Sequence, residues 1–145
     1  MSSERLKAGT GAMRIARFLV MVAALLLSGF GPAPAQEAAQ VPVTVGGSAE
    51  LDACGSLGRV VGLDPNGANA LLVRAGPGRD YERLDRVGPG QILFLCGKSD
   101  RWHAVVYTAQ GADCEVSKPI AAVQTYAGPC RAGWVFEAFV EPVAG

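Results

Sequence analysis

A chain of 145 residues has room for one ordinary domain plus appendages. Its 13 Lys/Arg balance 13 Asp/Glu, so total charge points to no class of partner. The four cysteines form neither a CxxC nor a CxxCH, so zinc ribbons, thioredoxin-like redox pairs and haem attachment lack their spacing.

The chain opens on Arg5, Lys7, Arg14 and Arg17 against Glu4, followed by the unbroken apolar run Phe18–Leu27. Ala33 and Ala35 then place small residues at the −3 and −1 positions before Gln36. Basic, apolar and small-residue blocks in that order predict a secretory signal peptide over 1–35, starting at Met1 or Met13. The apolar run is too short for the ~20 residues of a membrane span, and no cysteine stands at the cleavage point as a lipoprotein requires. Membrane contact is therefore expected only through the signal before cleavage, and the mature chain is expected to be periplasmic or secreted. Without residues 1–35, nine basic and twelve acidic residues remain, a net charge of −3 with no basic cluster. That argues against nucleic acid, whose phosphates need Lys/Arg to neutralise them.

Residues 36–50 are small, polar and punctuated by Gly and Pro, and read as a flexible linker. The domain is expected over 51–145. It begins with "GRVVGL", the turn signal "DPNG" and "ANALLVR". Gly76-Pro77-Gly78, "YERLDRV", Gly88-Pro89-Gly90 and "QILFLCG" follow. "KSD" makes a turn into "RWHAVVYT", and "GWVFEAFVEPV" closes the chain. No window after residue 35 keeps a helical period, so the expectation is an all-β fold of five to six short strands. In "RWHAVVY" strand alternation puts Trp102, Ala104 and Val106 on one face and His103, Val105 and Tyr107 on the other. "QILFLC" is apolar on both faces and reads as a central strand.

The ordered set Leu71, Val73, Arg74, Gly76, Pro77, Tyr81, Leu84, Gly90, Trp102, Val105, Gly133, Trp134 and Val135 resembles the bacterial SH3-type (SH3b) domain. The resemblance covers about Leu57–Val143 and implies a small SH3-like barrel. In such a fold the Gly-Pro-Gly segments are tight corners, since glycine reaches φ > 0 cheaply and proline fixes φ near −65°. The first would begin the long loop that borders the ligand groove, and the second would connect consecutive strands. The chain departs from the family pattern at Leu72, where Asn is usual, and at Ala75, where Ser is common. It also carries an insertion, Thr108–Ala132, before the last strands.

In an oxidising compartment four cysteines imply two disulfides, with three possible connectivities. Cys114 and Cys130 bracket the insertion, so Cys114–Cys130 with Cys54–Cys96 is the favoured pairing by loop locality. The other two pairings would join the insertion to the barrel, and sequence alone leaves them open.

Catalysis is not expected. His103, the single histidine, sits within a predicted strand, and all four cysteines have a structural use. Asp80, Glu82 and Asp85 lie among Arg79, Arg83 and Arg86, where solvated charge is the simpler expectation than acid–base chemistry. The Gly-Pro-Gly segments lack the following helix of a phosphate loop, and no cofactor or metal is called for. The resemblance implies instead a noncatalytic module with an aromatic groove. Tyr81, Trp102, Tyr107 and Trp134 are its candidates, with Arg74 and Asp80 at the rim. For Trp134 and Tyr107 core packing is the competing expectation. The family's usual ligand makes peptidoglycan peptide the expected partner. The alternative is an envelope protein, contacted through the stapled insertion with Tyr126 near its tip.

Overall fold

The computed structural model describes residues 39–145. The expected signal peptide and both candidate starts lie outside the described residues.

Alternating apolar side chains and frequent turn residues produce an all-β chain. In order, the strands are β1 (Thr44–Val45), β2 (Ser48–Asp52), β3 (Ser56–Val60), β4 (Leu71–Arg74), β5 (Arg83–Val87) and β6 (Ile92–Ser99). They continue as β7 (Trp102–Tyr107), β8 (Pro119–Ile120), β9 (Gln124–Thr125), β10 (Arg131–Phe136) and β11 (Val140–Ala144), with one 3-10 turn at Glu137–Phe139. Seven of them build one antiparallel sheet in the order β11-β3-β6-β7-β10-β4-β5. Its hydrogen-bond ladder is open, with β11 and β5 as edges, so the sheet is not closed into the expected barrel. Among the described residues the strands number eleven, not five or six: four short ones lie in segments that carry no strand pattern of their own, and the 3-10 turn at Glu137–Phe139 divides the closing segment into β10 and β11.

Those four strands correct the reading of 36–50 as a linker. From Val41 onward that segment belongs to the fold: β1 pairs with β9 and β2 with β8, both partners lying in the insertion. Val43 and Val45 are buried in one core with Ala53, Cys114 and Val116 from the same two segments. The N-terminal segment and the insertion therefore form a joint cover on one face of the sheet. Each is too short and polar to hold a strand alone, and only the other supplies its hydrogen-bond partners.

The cover explains why β7 is buried on both faces. Trp102, Ala104 and Val106 point to the covered side, together with Trp134 from β10. Val105 and Tyr107 point to a second core with Val60, Leu71, Val73, Leu93, Leu95 and Val135. The alternation read from "RWHAVVY" is thus observed, and β6 is an interior strand as its apolar run implies. Both disulfides have the favoured pairing, Cys54–Cys96 and Cys114–Cys130. The first ties the cover to β6, and the second staples the insertion.

The two Gly-Pro-Gly corners have different physical reasons. At the first, the Tyr81 ring lies so close over Gly76 that an added Cβ would overlap it, and a Cβ on Gly78 would press on the same ring at 3.2 Å. At the second, Gly90 takes φ +77°, and its amide donates to the Val60 carbonyl at 2.8 Å.

Candidate functional site

Strand register collects the residues of the site. Trp134 lies opposite Arg74, and Phe136 lies opposite Trp102, so Leu72, Arg74, Trp102, Trp134 and Phe136 share the covered face. The cover reaches Trp134, whose Nε1 donates to the Val41 carbonyl at 2.7 Å, while the Val41 amide donates to the Ala75 carbonyl at 2.8 Å. Beyond it the face opens into a cleft of about 200 Å³. Trp102, Phe136, Leu72, Phe139 and Leu63 supply its apolar wall, and Arg74 and Arg79 its charge.

Trp102 and Phe136 meet edge-to-face, with centroids 5.4 Å apart and planes at 61°. The Arg101 guanidinium stands 4.7 Å over the Phe136 ring, and its Nε donates to Glu137 at 3.2 Å. Lys98 pairs with the same carboxylate at 2.6 Å. Hydrogen bonds from Lys98 and Arg101 hold the Glu137 carboxyl below its ordinary pKa. This exposed ionic cluster props the aromatic wall from outside.

Among the described residues Arg74 is the buried charged one. Its Nη1 donates to the carbonyls of Arg79 and Tyr81, at 2.8 and 2.9 Å, and so holds the loop after the first corner in place. Burial lowers its pKa, and the neighbouring charges of Arg83 and Arg79 add to that effect.

The other candidates fall elsewhere. Tyr81 is half-buried over the glycine corner, and reaches Arg74 only through its own carbonyl. Asp80 is exposed and outside the cleft lining. Trp134 is buried beneath Val41. Tyr107 is buried in the second core, and its hydroxyl donates to Asp85 at 3.0 Å. Burial, then that carboxylate, push the Tyr107 phenol far above its ordinary pKa. So of the six candidates Trp102 and Arg74 come together in the cleft. Phe136, Phe139, Leu63 and Arg79 were missed. Phe136 and Phe139 stand in "GWVFEAFV", and the first is legible as the strand partner of Trp102 only once the β7–β10 register is known.

Tyr126 does not present a free tip. Its hydroxyl donates to the Cys114 carbonyl at 3.1 Å and accepts from the Cys130 amide at 3.0 Å, bridging the two ends of the staple. His103 is half-buried on β7, and its pKa is lowered first by burial and then by Lys98. All cysteines are oxidised, so it has no thiol to activate. Among the described residues no helix is long and apolar enough to cross a membrane, and two disulfides fit an oxidising compartment.

No protein-family model matches the chain, and neither a curated protein nor a solved structure shows significant similarity to it.

Proposed function

We propose that the protein is a noncatalytic, exported binding module of SH3b-like build, and that its cleft recognises cell-wall peptide. The observation that carries this reading is the half-open recess where Trp102, Phe136 and Leu72 meet Arg74 and Arg79. Rigid aromatic walls give a ligand contact area at small rotamer cost, and the guanidiniums offer directional donors. The SH3b-like build is supported by the order of parts: a corner and loop after β4, a second corner before β6, and a hairpin into β7 that begins with Trp102. Leu72, which replaces the family's usual Asn, makes the recess more apolar. Export to the periplasm or beyond is supported by the disulfides together with the leader-like sequence of residues 1–35.

Co-sedimentation of the oxidised protein with purified peptidoglycan sacculi tests this. The native protein should pellet, and Leu72→Asp, with its fold checked by circular dichroism, should stay in the supernatant. Native protein left in solution would end the wall-binding reading. A folded Leu72→Asp that pellets like the native chain would take the cleft out of it.

One observation favours a second reading. Val123, between β8 and β9 in the stapled insertion, is 67% exposed. An envelope protein docking there would be lost by Val123→Asp with sacculus binding intact.

A further inference from the structure

The cleft holds a positive charge that the described protein leaves uncompensated. Arg74 is 9% exposed, yet none of the three ion pairs among the described residues includes it or Arg79. Both of its protein acceptors are backbone carbonyls, and both are served by Nη1. No buried side-chain nitrogen among the described residues lacks a partner. The Nε and Nη2 donors of Arg74 are therefore not sealed in, and the residue lines the cleft, so they open towards it. Arg79 lines the same recess and is exposed. The lowered pKa of Arg74 reports the same excess, because burial and two like charges outweigh the one nearby carboxylate, Asp80.

A buried guanidinium gains most from a carboxylate, which it can meet with two parallel N–H donors. The rest of the recess is Trp102, Phe136, Phe139, Leu72 and Leu63, which favour an apolar group bonded directly to that anion. Its volume of about 200 Å³ is below the roughly 300–1,000 Å³ of pockets that enclose a drug-sized ligand. It therefore suits the last residue or two of a longer chain, with the remainder leaving along the open side.

We infer that the cleft captures the free C-terminal carboxylate of a peptide ending in small apolar residues, with Arg74 and Arg79 on the carboxylate and the Trp102–Phe136 wall on the side chains. This rests on the cleft being the binding site, as proposed above, and adds the chemistry of the ligand. Wall stem peptides and protein C-termini share that chemistry and differ in the handedness of the terminal residue.

The test is a titration of the oxidised full chain, followed by tryptophan fluorescence and calorimetry. The probes are N-acetyl-D-alanyl-D-alanine and N-acetyl-L-alanyl-L-alanine, each as free acid and as C-terminal amide. At least one acid should bind about tenfold or more tighter than its amide, the range expected for losing a charge-assisted hydrogen bond. Arg79→Gln, at an exposed position, should narrow that gap by weakening the acid. Arg74→Lys, which keeps the charge but loses the fork, should narrow it as well. Preference for the D pair would identify a wall source, and preference for the L pair a protein C-terminus. Equal binding of acid and amide would overturn the inference, as would a gap that neither variant narrows. Failure of every dipeptide with protein that still pellets with sacculi would overturn it while leaving the wall-binding reading intact. Failure of both assays would remove both.

Discussion

Tyr81 and the first Gly-Pro-Gly corner are one packing unit. The ring occupies the space where a Gly76 side chain would stand, and the carbonyl of Tyr81 itself accepts from Arg74. Gly76→Ala should therefore destabilise the fold by about 1–3 kcal/mol, the usual range for overpacking. Urea titration of the single variant and of Gly76→Ala in a Tyr81→Ala background checks the cause. If the ring is the obstacle, the alanine costs much less once the ring is gone. A second residue-scale expectation concerns acid. Burial opposes ionisation of Asp85, but hydrogen bonds from the Arg131 guanidinium, the Arg86 amide and the Tyr107 hydroxyl outweigh it and hold its pKa below the ordinary value. A carboxyl depressed in the folded state stabilises the fold above its unfolded pKa, about 3.9. That contribution is lost as pH falls through the folded value. Stability should decline below about pH 5, and Asp85→Asn should flatten part of that decline in melts recorded against pH. An unchanged acid limb would mean that the Arg131 pair, whose guanidinium side is 72% exposed, is screened to nothing.

Among the elements, the two disulfides do different jobs. Cys54–Cys96 spans a sequence separation of 42 and fastens the cover to β6, whereas Cys114–Cys130 spans 16 within the insertion. In the chain-entropy account loops of these lengths correspond to about 4 and about 3 kcal/mol. Replacing both cysteines of the first bond with alanine should therefore lower the urea midpoint more than replacing both of the second. The insertion also keeps an internal tie when its staple is removed, because the Tyr126 hydroxyl still links Cys114 to Cys130 through their backbones. The reverse order of midpoints would mean that β1 and β2 hold the cover to the sheet without help from Cys54. Here the sequence is partly legible. The brackets of the insertion are visible in it, but Tyr126 reads as an exposed tip because nothing local marks its hydroxyl as a two-ended bridge.

For the whole molecule, the boundary of the folding unit matters most. A chain beginning at residue 51 would lack β1, most of β2, the buried Val43 and Val45, and the Val41 carbonyl that accepts from Trp134. It should expose one core, bind a hydrophobic dye and melt without cooperativity, while residues 39–145 fold cooperatively. A cooperative melt from the shorter chain would show that the cover is an accessory and that the seven-stranded sheet is self-sufficient.

The sequence by itself determined the all-β class, the strands from β3 to β7 and β10, and the face assignment along β7. Those depend on alternation and turn chemistry, which act between residues a few positions apart. The disulfide pairing was favoured for a similar reason, since loop locality is readable along the chain. Only the tertiary structure decided that Val41–Asp52 and the insertion pair with each other, that the sheet stays open between β11 and β5, and that Trp134 and Tyr107 are core residues. It alone also set Phe136 beside Trp102 and brought Arg74 into the lining of the same cleft. Each of these rests on contacts between distant segments, such as the 93 positions between Trp134 and Val41. A two-residue strand such as β1 or β9 has no period to read, and exists because its partner arrives from elsewhere in the chain.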